Sequence, residues 1–261
     1  MFPKGLIIAF EGLDCSFKET NFKEFVSRLV RDYPSKQDFI ITESFPRYQN
    51  KGSYFLSKWL DGTYDREMLM SKPLAINSMY SLDRLDFWQT RIPLHNKRGV
   101  VKKPIELVKE QTHCFVFDRY SFSNAIYNPA YGYLGSMPSI DDFNRDMNVY
   151  GNPNPDIVVW MRMKDFSVLK SLIEQKSNTD ESEKNTDFIY NVWNRSEHVL
   201  KYNYFRHRIE INSSLIVIDC LDEQNNIKSR EDIANEVYIR VMREAEKILE
   251  RKKKDEQSAG R

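Results

Sequence analysis

Short apolar runs alternate with longer amphipathic stretches along this chain. Leu6–Phe10, Phe39–Thr42, Cys114–Phe117, Ile157–Met161 and Leu215–Ile218 are nearly continuous in Val, Ile, Leu and Phe. A strand with one solvated face alternates apolar and polar residues, whereas a strand covered on both faces does not. The five runs therefore predict buried strands of a parallel sheet. Helical spacing predicts helices around Phe22–Asp32, Tyr54–Leu60, Pro73–Arg91, Ile105–Gln111, Phe166–Gln175, Phe188–Arg206 and Arg230–Lys254. Strands alternating with helices imply right-handed crossovers and an α/β architecture.

Two polar stretches interrupt this rhythm. Tyr131–Asn154 is rich in Gly, Pro, Asn and Asp and reads as a surface insertion containing a short helix. Lys176–Asp187 has almost no apolar residue and reads as a mobile loop between two helices. No repeat or linker divides the chain, so one domain is expected up to about residue 250, followed by a basic and polar tail from Arg251 to Arg261. With 261 residues, 41% of them hydrophobic, the chain can bury a substantial core.

The charge balance narrows the partners. Thirty-nine basic against 38 acidic side chains leave a net charge near zero. With no basic-aromatic stripe, that argues against nucleic acid as a ligand. No run approaches the ~20 apolar residues of a membrane span, and Phe2-Pro3-Lys4 leads straight into the first strand without a signal peptide. Cys15, Cys114 and Cys220 are far apart, odd in number and lack zinc spacing, which suits a reducing interior. A cytoplasmic protein is expected.

The most informative segment follows the first strand: Glu11-Gly12-Leu13-Asp14-Cys15-Ser16-Phe17-Lys18-Glu19-Thr20. A strand, a glycine turn and a helix start place backbone N–H groups where phosphate oxygens can sit, and the lysine adds a positive charge. Gly12 and Lys18 have the reach of a phosphate-binding loop. Phe17, however, stands at a glycine position, and Glu19 stands where a hydroxyl usually holds Mg²⁺, with Thr20 one residue late. An ordinary βα turn carrying a surface lysine is the competing reading of this segment alone.

Further motifs follow in order: Phe45-Pro46-Arg47-Tyr48, Tyr80-Ser81-Leu82-Asp83-Arg84, Asp118-Arg119-Tyr120-Ser121-Phe122-Ser123 running on to Tyr127-Asn128, and Asn154-Pro155-Asp156. Together with the loop, this series resembles the thymidylate kinases from about Lys4 to Arg243. The resemblance implies a P-loop NTPase-type three-layer sandwich, with a five-stranded parallel sheet surrounded by helices, and usually a homodimer. It also implies transfer of the γ-phosphoryl group of ATP to dTMP with Mg²⁺. On that resemblance Lys18, Asp14 and Arg119 are the catalytic candidates. Gly12, Cys15, Ser16, Phe17, Lys18, Glu19 and Thr20 would bind the ATP phosphates. Asp14, Arg47, Tyr80, Arg84, Arg119, Ser123, Tyr127 and Asn128 would bind dTMP.

Residue chemistry agrees with these roles. Arginines at the carboxyl ends of strands clamp phosphates bidentately, and Arg47 and Arg119 both follow strands. Both are therefore expected to converge with Lys18. Tyr80 and Arg84, four apart, share a helix face suited to a base and its phosphate. Glu19 and Asp118 are the candidate Mg²⁺ ligands, Asp118 alternatively bracing Arg119. Asn128 stands where the family more often has glutamine.

The sequence also departs from the family. Cys15 occupies the loop position where an arginine is common, and the lid carries only Lys176 and Lys184 as cations. The intact acceptor set favours an active kinase with an unusual donor loop. The alternatives are a pyrimidine-nucleotide-binding pseudoenzyme and a kinase for another pyrimidine monophosphate, such as dUMP or a modified base. Leu74, Met79, Leu82 and Phe87 form an apolar set that would serve either a dimer face or the monomer core.

Overall fold

A computed structural model describes residues 1–65, 73–94, 99–130, 149–176, 185–201 and 213–259. Much of the expected insertion and lid, including Lys184, lies outside these residues. Five strands, β1 (Ile7–Gly12), β2 (Ile40–Ser44), β5 (Cys114–Asp118), β6 (Ile157–Arg162) and β7 (Ser214–Asp219), pair in parallel in the order β2-β5-β1-β6-β7. Each falls on one of the predicted apolar runs. A separate antiparallel pair, β3 (Ile92–Pro93) and β4 (Val101–Lys102), is too short to leave a pattern in the sequence.

Around the sheet lie α1 (Lys18–Asp32), α2 (Tyr54–Leu60), α3 (Pro73–Gln89), α4 (Pro104–Lys109), α5 (Ser121–Ala130), α6 (Phe166–Glu174), α7 (Thr186–Lys201) and α8 (Arg230–Ala259). The last helix continues through the expected tail, where Lys252 Nζ lies 2.8 Å from Asp156 Oδ1.

Strand pleating sends alternate residues into different layers. Leu6, just before β1, and Ile8 and Phe10 within it, with Cys114 and Val116 of β5, join the large core that takes in α1, α6 and α8. Ile7 and Ala9, with Phe115 and Phe117, point the other way, into an aromatic cluster with Phe45, Phe87, Trp88 and Tyr120. There Phe117 stacks on Tyr120 with centroids 5.2 Å apart and meets Phe45 and Phe87 edge-on. Covering both faces explains the unbroken apolar strands. Phe87 is thus monomer core, while Leu82 on the same helix is exposed.

The register also positions the chemistry. Phe10 of β1 pairs with Asp118 of β5, and Ser44 of β2 pairs with the same Asp118. The loops after these three strands therefore leave the sheet side by side at its carboxyl edge, where parallel α/β sheets bind ligands. Removing the Phe117 ring should open a cavity in the aromatic cluster that the packed neighbours cannot refill. Phe117→Ala is expected to cost about 3–5 kcal/mol, read as a lower midpoint in urea unfolding.

Candidate functional site

The loop after β1 folds tightly against its neighbours. A Cβ on Gly12 would lie 2.6 Å from Ser16 Oγ and 2.9 Å from the Met161 carbonyl oxygen, so only glycine fits. Ser16 Oγ donates to the Leu13 carbonyl at 2.7 Å, and the Cys220 thiol donates to the Ser16 carbonyl at 3.4 Å. Cys15 and Phe17 both adopt left-handed backbone angles, with φ of 60° and 59°. Phe17 therefore takes up a conformation suited to the glycine it replaces, at a cost of about 1–2 kcal/mol for an L-residue. Its ring packs partly against the core.

α1 starts at Lys18 with Phe17 as its N-cap and no side-chain cap. The N–H groups of Lys18, Glu19 and Thr20 in the first turn have no intrahelical acceptor. Such a helix end is suited to bind an anion.

Two ion pairs dominate the edge of the sheet. Lys18 Nζ pairs with the Asp118 carboxylate at the end of β5, both side chains being largely buried. Arg119, with φ 65°, pairs with Asp14. Burial works against the charge on Asp14, but Arg119, Lys18 and Lys176 together hold its carboxyl below the usual range. Burial, reinforced by Arg119, lowers the affinity of Lys18 for its proton, and Asp118 and Asp14 partly offset this. The Tyr127 hydroxyl lies 3.5 Å from Asp14 Oδ2, with the Arg119 guanidinium 5.9 Å from its ring centroid.

Behind these pairs is Glu11, fully buried at the end of β1. Its Oε1 accepts the Tyr120 and Phe122 backbone N–H groups, each at 2.9 Å, and its Oε2 accepts the Ser123 hydroxyl. Burial raises its pKa, opposed by the Ser123 hydrogen bond and the charge of Lys18.

A cavity of about 490 Å³ opens over this edge. One wall carries Asp14, Glu19, Asp118, Arg119 and Lys176. Another carries Phe45, Tyr80, Arg84, Ser123 and Tyr127. Tyr80 and Arg84 stand one turn apart on α3. The Arg84 guanidinium donates to the Tyr120 carbonyl at 3.2 Å and lies 5.6 Å from the Tyr120 ring centroid.

Known structures share this fold. A thymidylate kinase from Candida albicans superposes with a TM-score of 0.59 at 15% identity, covering 93% of this chain and 94% of its own. One from Ehrlichia chaffeensis gives 0.53 at 18% identity, covering 91% and 98%. The chain has the thymidylate kinase fold. No family model and no curated protein sequence matches it.

Within the thymidylate kinase fold, eight of the expected site residues, Asp14, Glu19, Tyr80, Arg84, Asp118, Arg119, Ser123 and Tyr127, line this cavity. Gly12, Cys15, Ser16, Phe17, Thr20 and Lys18 do not, although Lys18 is paired with Asp118 on it. Arg47, expected to converge with Lys18, instead lies along α3. Its backbone N–H and Nε bind the Asp83 carboxylate at 2.8 and 3.1 Å, and its Nη2 binds Asp86 at 2.6 Å. A guanidinium so close to two carboxylates on one helix gains more there than it would reaching across open solvent. Asp118, considered as a brace for Arg119, pairs with Lys18, and Asp14 pairs with Arg119. Glu19 reaches the cavity wall while paired with Lys23 one turn along. The Asn128 side chain lies outside the described residues.

Glu11 falls within the loop motif, yet the motif alone gives it no role. The signal was a carboxylate inside an otherwise apolar buried strand, which must find donors. Among the described residues no group of three His, Cys, Asp or Glu could hold a metal on protein ligands alone.

Two tests follow from this geometry. Phe17→Ala and Phe17→Gly both delete the ring, so their difference isolates the backbone. The glycine variant should be about 1 kcal/mol more stable than the alanine variant in urea unfolding. Asp14 has a lowered folded-state pKa, so it contributes stability above its unfolded value, ~3.9, and loses that contribution as pH falls through the lowered value. Asp14→Asn should therefore flatten the acid limb of a stability-against-pH curve.

Proposed function

We propose that this protein is a thymidylate kinase, transferring the γ-phosphoryl group of ATP to dTMP to give dTDP and ADP. The observation that carries this reading is that Arg119, an uncapped helix start at Glu19 and, through Asp118, the Lys18 ammonium share one cavity with a pocket of aromatic and hydrogen-bonding side chains. The first group suits a polyphosphate chain. The second, Phe45, Tyr80, Arg84, Ser123 and Tyr127, suits a pyrimidine nucleoside and its phosphate. Asp14 lies between them, beside the place where an acceptor phosphate would meet the donor.

The proposed donor loop makes a left-handed turn at Phe17 despite its altered sequence. Phe17 holds the left-handed turn, so the first-turn N–H groups of α1 still face outward for phosphate oxygens. Mg²⁺ is commonly held by one or two carboxylates together with nucleotide phosphates. Asp118, Asp14 and Glu19 provide hard oxygen donors of that kind on the cavity wall. When bound, the cation would neutralise charge on the phosphates. Lys18 and Arg119 would orient the phosphates, and Lys176, from the end of α6, would add positive potential. A homodimer in the cytoplasm accompanies this reading, with exposed Leu82 of α3 available to a partner surface. Among the described residues, no helix is long and apolar enough to cross a membrane.

The Candida albicans thymidylate kinase is described as having broad substrate specificity, so the acceptor is best tested as a panel. A coupled assay with ATP, Mg²⁺ and dTMP, dUMP or other pyrimidine monophosphates should show ADP release fastest with dTMP. Lys18→Ala should lower turnover by about 100-fold or more. Equal rates in wild type and Lys18→Ala would rule out the kinase. Binding of dTMP without formation of dTDP would identify a nucleotide-binding protein that has lost transfer.

A further inference from the structure

Three of the cations expected to meet phosphate already hold carboxylates. Lys18 is on Asp118, Arg119 is on Asp14, and Arg47 is on Asp83 and Asp86. Lys18 and Asp118 are also close to fully buried, with side-chain exposures of 7% and 12%. A phosphate oxygen reaching Lys18 must therefore compete with Asp118, either displacing it or sharing the ammonium with it. Either way the carboxylate then sits beside an anion of the same sign with little water to screen it.

We propose that Asp118 and Asp14 are specificity-determining residues that act as internal counterions, excluding small inorganic anions from the phosphate site. A single phosphate or sulfate offers Lys18 little more than Asp118 already gives. A polyphosphate chain spans Lys18, the start of α1 and Arg119 together. Only such a ligand makes enough simultaneous contacts to outweigh the loss of both ion pairs. The carboxylates thus convert a cationic pocket, which would otherwise fill with the most abundant small anion, into one that responds to extended phosphates.

The arrangement at Lys18 makes this role separable from a merely structural one. A residue that only braces the lysine leaves phosphate binding weaker when it is replaced. A competing counterion leaves it stronger. Asp118→Asn keeps the shape of the side chain and removes the competing charge, while Lys18 stays anchored at the start of α1.

The inference rests on the phosphate-binding part of the proposed function, and it is tested without turnover. Calorimetry would be run on the full chain at pH 6.5 in EDTA, with inorganic tripolyphosphate and inorganic phosphate as probes. Asp118→Asn is expected to bind both at least tenfold more tightly than wild type, with a melting temperature within a few degrees of it. The gain should vanish in the double variant carrying Lys18→Met as well. Equal or weaker binding by a folded Asp118→Asn protein would overturn the proposal, whether or not the kinase assay succeeds. Should that variant fail to fold, Asp14→Asn is judged by the same criterion, with the gain now cancelled by Arg119→Met.

Discussion

One buried carboxylate joins the two halves of the site. Glu11 closes β1 and accepts hydrogen bonds from the backbone of Tyr120 and Phe122 and from the Ser123 hydroxyl. The strand that feeds the loop from Leu13 to Phe17 is thereby tied to the turn that carries Arg119 and to the helix that carries Tyr127. A carboxylate without water needs such donors, and the first turn of α5 has N–H groups to give. The contact satisfies both sides and fixes the separation between Lys18 and Arg119. Without it, cations about a hundred residues apart in the sequence would share an edge of the sheet but not a defined geometry.

Strain is concentrated in the same small volume. Cys15, Phe17 and Arg119 all have left-handed backbone angles although none is glycine. Such conformations persist where the surroundings over-determine them, and they gather at sites that must present groups in unusual directions. At Arg119 the turn brings the guanidinium onto Asp14. At Phe17 it delivers the chain into α1 with its N-terminal donors uncovered. The core tolerates this because the sheet beneath is covered on both faces and close-packed.

Much of the architecture was legible in the chain itself. The five strands were visible because doubly covered strands are continuously apolar, and Tyr54–Leu60 was read with the bounds the helix has. Lys18 and Arg119 could be grouped because each follows a strand, whereas Asp14 and Tyr127 joined them only through the resemblance of their motifs to the thymidylate kinases. Pairing was harder to read. The partners of Glu11 lie more than a hundred residues away, and nothing local distinguishes Asp83 as the acceptor for Arg47. The helix spacing of Tyr80 and Arg84 pointed to the cavity, whereas Asp83, between them, turns toward the chain after β2. Two-residue strands such as Ile92–Pro93 are too brief for any periodicity to register.

The grip of Asp83 and Asp86 on Arg47 has a mechanical corollary. Arg47 belongs to the segment after β2, yet its guanidinium travels with α3, the helix that also bears Tyr80 and Arg84. Three side chains, Arg47, Tyr80 and Arg84, are thus mounted on one rigid rod. A small slide or roll of that rod would move all three together, leaving the loop after β1 undisturbed.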